Sequence, residues 1–206
     1  MPDPERRICS FGGVELRENG DAPEIVGYAA VFNQRSVELW GFFEEIEPGA
    51  FADTLANGPD VRATIDHNGG VTTIGRTRSQ TLFLEEDDTG LRARILPPNT
   101  QAGRDVVELV RRGDVDQMSF MFRVPPEGAS WYYDANNQLI RRLKRVDLEN
   151  GDVSIVTYPA YPQTSAEVRA AAEKQRRLAH NETGGAQRRQ ARARARARQL
   201  SLEAKR

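Results

Sequence analysis

Residues 103–124, "GRDVVELVRRGDVDQMSFMFRV", change their hydrophobic period halfway along. In the first half Val106, Leu109 and Val110 recur at helical spacing. Gly113 follows, where a helix C-terminus favours a residue free to turn left-handed. In the second half the period falls to two, so that Met118, Phe120, Phe122 and Val124 share one strand face and Ser119, Met121 and Arg123 the other. A short helix beside a half-buried strand is the expectation, with the Ser119 hydroxyl turned away from the core.

The strand signal repeats on both sides of this stretch. "EIVGYAAVF", "VRATIDH", "TLFLEED", "GLRARILP", "SWYYDA", "LIRRLKRVDL" and "DVSIVTYP" are short, nearly alternating and separated by Gly, Asp and Asn turns. "PGAFADTLANG", with Phe51 and Leu55 four apart, is a second short helix. The expected fold is mainly β with flanking helices, a small and mostly antiparallel barrel or sandwich. After "TYPAYPQTS" the composition changes: "TSAE" has the form of a capping box, an alanine-rich helix follows, and "AQRRQARARARARQLSLEAKR" alternates Arg with Ala. The chain therefore divides into a domain over 1–164 and a basic helical or disordered tail over 165–206, since the tail has too little apolar surface to offset its conformational entropy.

Composition narrows the function. With 206 residues, 38% of them apolar, the chain has enough for one cored domain and an appendage. Its formal net charge of −1 gives no global pull toward nucleic acid or membrane, although the arginine-rich tail is suited to incidental contact with a polyanion. No stretch has the length and apolarity of a membrane span, and the first residues lack the apolar centre of a signal peptide. Cys9 is the single cysteine, which leaves no disulfide framework and fits a reducing compartment such as the cytoplasm. Neither metal nor cofactor is called for, because one domain histidine without further cysteines has no recognisable ligand spacing.

By pattern alone Ser119 reads as an ordinary small strand residue and His67 as a surface histidine, and an activated hydroxyl is the chemistry the two could support together. His180 falls in the tail, so His67, where a strand runs into "NGG", is the sole imidazole open to a folded site and is expected at an exposed rim. A serine attacks a carbonyl only when a base takes its proton, and imidazole, with an ordinary pKa of about 6.5, suits neutral pH. A third, acidic group must hold the ring. Asp152 is placed for that role on its strand, while Glu47, Asp66, Asp114 and Asp116 are not excluded by pattern.

Taken in order, "IVGYAAVFN", "FFEEIEPGAFADTL", "DVRATIDHNGGVTTIGRT", "DTGLRARILPP", "GRDVVELVRRGDVDQMSFMF" and "GDVSIVTYPAYPQTS" resemble the successive blocks of the tailed-phage prohead proteases, the serine proteases of head maturation. The resemblance runs over about residues 7–165 and implies a small β-barrel similar to that of the herpesvirus assembly proteases. It implies Ser119 as nucleophile, His67 as base and Asp152 as the acid. Glu149 competes for the third place, because "LENGD" inserts two residues before Asp152 relative to the family pattern. The implied substrates are the scaffold segment of the major capsid protein and the protease itself, inside the immature prohead in the host cytoplasm, with the enzyme a homo-oligomer there. The tail becomes a docking segment trimmed by self-cleavage. Oxyanion donors are sought among the amides flanking Ser119 and in the loops after Gly75 and Gly151. The competing function is a catalytically silent capsid assembly factor that binds scaffold.

Overall fold

The computed structural model describes residues 3–9, 13–19, 22–157 and 168–180. The chain divides into two compact units, Met1–Ser165 and Ala166–Arg206. In the second, residues 168–180 are helical; the arginine-alanine stretch read as a docking tail lies outside the described residues.

The first unit is mainly β. In chain order it contains β1 (Glu5–Cys9), β2 (Glu15–Asn19), β3 (Ala22–Val31), β4 (Phe43–Ile46), α1 (Ala52–Ala56) and β5 (Arg62–Ile65). A 3-10 turn at Gly70–Thr72 leads to β6 (Gly75–Arg76), β7 (Leu82–Glu86), β8 (Gly90–Ile95) and α2 (Gln101–Arg112). The unit ends with β9 (Gln117–Arg123), β10 (Ala129–Tyr133), β11 (Leu139–Leu143) and β12 (Asp147–Val156). These strands pair in three open sheets, ordered β1-β9-β12-β5-β6, β10-β11-β4 and β2-β3-β8-β7. The small closed barrel expected from the sequence is therefore not formed by one continuous hydrogen-bonded ladder among the described residues. Pairing is mostly antiparallel, but β12 runs parallel to β5, and β11 to β4.

The period change in 103–124 has the expected result. Thr100 caps α2 by accepting the Gly103 amide, and Gly113 closes the helix at φ 75°. The buried stripe is Gly103, Val106, Val107 and Val110, so Val107 takes the place expected for Leu109, which is half exposed. One face of β9 then sends Met118, Phe120 and Phe122 into the core, where Phe120 stacks on Phe122 and meets Phe51 edge-on.

β1 and β4 carry no strand signal in the sequence because their inward positions are charged. Glu5 and Arg7 on β1, Glu44 on β4 and Arg141 on β11 form a buried quartet that ties the five-stranded sheet to the three-stranded one. Arg7 reaches Glu44 at 2.6 Å and Glu5 at 2.7 Å; Arg141 reaches Glu5 at 2.7 Å and Glu44 at 2.9 Å. Two cations and two anions cancel, and the short hydrogen bonds offset the cost of removing each charge from water. Burial by itself would raise the Glu5 carboxyl, but hydrogen bonds and charge from Arg141 and Arg7 outweigh it and hold it below its ordinary 4.5.

Because the folded value of Glu5 is depressed, its contribution to stability is full above the ordinary carboxylate range and is lost as pH falls through the lower folded value. Arg141→Ala should cost about 3–5 kcal/mol at pH 7, since it strands buried carboxylates, and should blunt the acid sensitivity of the fold. Urea midpoints of the two proteins at pH 7 and pH 3 measure both effects.

Candidate active site

The site is built on the face of the five-stranded sheet opposite the aromatic core. β12 lies between β9 and β5, with Ser154 opposite Ser119 on one side and opposite Thr64 on the other. Period-two alternation then puts Asp152 on the same face as Ser154. Getting it there depends on an irregularity: five steps along β12, from Asp147 to Asp152, match only two along β9, from Arg123 to Met121. The extra residues of "LENGD" bulge out of the ladder. Asn150 turns at φ 55°, and a Cβ on Gly151 would stand 2.3 Å from the Met121 carbonyl oxygen, a position open only to glycine.

His67 reaches the same face from the turn after β5. Asp66 and His67 both adopt left-handed φ, 50° and 55°, which swings the imidazole back over the sheet. Its Nδ1 lies 2.7 Å from Asp152 Oδ1 and its Nε2 2.7 Å from Ser119 Oγ. The three residues expected from the sequence to act together are thus in one continuous hydrogen-bonded line. The other acids are elsewhere. Glu149 accepts the Asp60 amide, Asp66 bonds Thr157, Asp114 pairs with Arg112, Glu47 follows β4 and Asp116 precedes β9. Among the described residues no cluster of three or more His, Cys, Asp and Glu is arranged to hold a metal ion.

Two expectations need correction. Ser119 is not a surface hydroxyl: it points away from the apolar core yet is fully enclosed, and the His67 side chain is only 3% exposed instead of standing at a rim. β1 pairs along the outer side of β9, and the Ser119 hydroxyl lies 2.8 Å from the Arg7 carbonyl oxygen, to which it donates. The oxyanion donors expected beside Ser119 and after Gly75 are also engaged. β9 is paired on both sides, while the Arg76 and Thr77 amides after Gly75 go to Thr81 Oγ1 and the Val61 carbonyl.

Sequence reasoning passed over the Arg7 carbonyl, as it passed over Thr64 and Ser154. A backbone oxygen leaves no trace in a side-chain pattern. Ser154 was legible only as a small polar member of the strand face that also carries Asp152, and Thr64 stands beside it on β5.

The description "caudovirus prohead serine protease" matches residues 13–179. The chain belongs to that family. It is a phage head maturation protease. No curated protein matches the sequence at a significant level. Among solved structures it is similar to the bacteriophage T4 capsid assembly protease, gp21, at 9% identity and a TM-score of 0.47, over 74% of this chain and 98% of that one. No helix among the described residues is long and apolar enough to cross a membrane.

In this protease the Ser119 proton has two acceptors within reach, Nε2 of His67 and the Arg7 carbonyl, and a hydroxyl has one proton to give. Enclosure makes access a separate step. Labelling of Ser119 by a fluorophosphonate should therefore level off with rising reagent concentration, as opening becomes limiting. Rates that climb linearly to the highest concentration would show a hydroxyl already open.

Proposed function

We propose that the protein is a serine endopeptidase that cleaves capsid scaffold segments and itself during prohead maturation, with Ser119, His67 and Asp152 as its catalytic triad. The observation that carries this is the pair of 2.7 Å contacts that link carboxylate, imidazole and hydroxyl in the order the chemistry needs.

With the Asp152 carboxylate on Nδ1, the proton of a neutral imidazole sits there and Nε2 is the free base. Ser119 Oγ attacks the scissile carbonyl carbon as its proton passes to Nε2, and the carbonyl electrons move to the oxygen. Collapse of the tetrahedral intermediate breaks the C–N bond, and the imidazolium gives its proton to the departing amine. Water, deprotonated by the same nitrogen, then releases the acyl group from Ser119 and returns the serine its hydrogen. For the attack to begin, the hydroxyl has to turn from the Arg7 carbonyl toward Nε2 and the substrate strand has to reach the enclosed face.

The substrates in this reading are the scaffold segment of the major capsid protein and the basic tail over 165–206, cleaved by a homo-oligomer inside the immature prohead in the host cytoplasm. The enclosed Ser119 favours a second reading, a catalytically silent assembly factor that binds scaffold through its domain. Reaction with the fluorophosphonate separates the two.

Co-expression with the capsid protein of the same genome is the direct test. The native chain should shorten the capsid protein, and Ser119→Ala should leave it intact; equal processing by both would sink the proposal. Ser119→Ala and His67→Ala should each lower kcat by about a million-fold, with the double variant little worse, because the pair acts as a unit. Asp152→Asn should cost less, about ten-thousand-fold, and Glu149→Gln should stay close to native turnover. Intact mass of native and Ser119→Ala protein reports trimming of the tail.

A further inference from the structure

The catalytic reading names three side chains, but the enclosed face holds two more hydroxyls with no role in it. Ser154 is fully buried and stands between Ser119 and Thr64 across the ladder. Its Oγ accepts the backbone amide of His67 at 2.8 Å and the Thr64 hydroxyl at 3.1 Å, and its own proton is directed at the Ile155 carbonyl, 3.4 Å away. Thr64, also buried, shares its single proton between Ser154 Oγ and Asp152 Oδ2, the latter at 3.4 Å. Asp152 thus has one oxygen on the imidazole and the other on Thr64.

Two requirements meet here. A histidine with a Cβ is disfavoured at φ 55°, so the turn at Asp66 and His67 persists only if its surroundings over-determine it. The Asp66 carboxylate secures one end by accepting both the amide and the hydroxyl of Thr157, at 2.8 and 2.9 Å. Ser154 secures the other by capping the amide of His67 itself. The second requirement concerns the carboxylate: a group held through one oxygen alone can rotate about its own axis, and a second donor removes that freedom. A buried hydroxyl pair also has a desolvation cost that an apolar pair would not, which makes its presence on a packed face notable.

We propose that Thr64 and Ser154 are positioning residues for the acyl-transfer reaction: Ser154 fixes the backbone of His67, and Thr64 fixes the carboxylate of Asp152. Neither touches the substrate. They act through the base and the acid, so their loss misplaces groups whose alignment has to hold within a fraction of an ångström. This inference rests on the catalytic assignment made above.

Full-length native protein, Thr64→Val, Thr64→Ser and Ser154→Ala are compared on the capsid protein as substrate, below the unfolding temperature of each. Thr64→Val, which keeps shape and β preference, should lower kcat by roughly 10- to 100-fold with KM unchanged. Thr64→Ser, which restores the hydroxyl, should recover most of that loss. Ser154→Ala should lower kcat by a similar factor and slow fluorophosphonate labelling in parallel. A further signature is the far-downfield NMR resonance of the His67 Nδ1 proton, which should broaden or vanish in Thr64→Val and return in Thr64→Ser. Lowered unfolding temperatures with native kcat, native KM and the native resonance would reduce the two hydroxyls to fold stability and overturn the inference. If instead native and Ser119→Ala proteins process the substrate alike, the catalytic assignment itself has failed. Should Thr64→Val not fold, Ser154→Ala and Thr64→Ser carry the same comparison.

Discussion

β12 is hydrogen-bonded on both sides, antiparallel to β9 and parallel to β5, and the site exists because of that double pairing. The ladder sets Ser154 level with Ser119 and with Thr64, leaving the three hydroxyl-bearing residues in a row. Side chains that are 35 and 90 positions apart in the chain then lie at adjacent-strand spacing. A shift of one residue in the register would turn Asp152 and Ser154 into the aromatic core and place Val153 and Ile155 under the imidazole. The core resists such a slip: it would carry the Asp152 carboxylate away from the imidazole and the Thr64 hydroxyl and in among aromatic side chains, where an unpaired charge is costly. Packing on one face of the sheet thereby enforces chemistry on the other.

The groups that the sheet aligns are also enclosed, Ser119 completely and the His67 side chain nearly so. β1 covers the outer side of β9, and the quartet of Glu5, Arg7, Glu44 and Arg141 holds β1 in place from the core side. Arg7 contributes twice, its guanidinium to the quartet and its carbonyl to the Ser119 hydroxyl. One residue thereby serves both: the strand that stabilises the joint between two sheets also accepts the hydrogen bond of the Ser119 hydroxyl.

In this member of the prohead serine protease family the hydroxyl, the imidazole and the carboxylate are all withdrawn from solvent. Enclosure keeps water and unrelated peptides from the hydroxyl. A dry environment also strengthens each charge-assisted contact in the line from Asp152 to Ser119. The cost is that no peptide reaches the Ser119 hydroxyl while this face stays closed.

Much was legible in the residues themselves. Period two and period 3.6 located β3, β5, β7 to β10, β12 and both helices, because at these positions side-chain polarity follows burial. The scarcity of histidine singled out His67, and the small residue in a bulky strand singled out Ser119. Where polarity and burial part company, pattern fails. β1 and β4 turn charges inward and were invisible, "LIRRLKRVDL" read as one strand although β11 ends at Leu143 and β12 begins at Asp147, and His67 was expected at an exposed rim. What the amino-acid order determined alone was which groups can do acyl-transfer chemistry and which faces must be buried. Only the tertiary structure decided that Asp152 and not Glu149 meets the imidazole, because a bulge of β12 against β9, made possible by Gly151, selects which carboxylate returns to the site face.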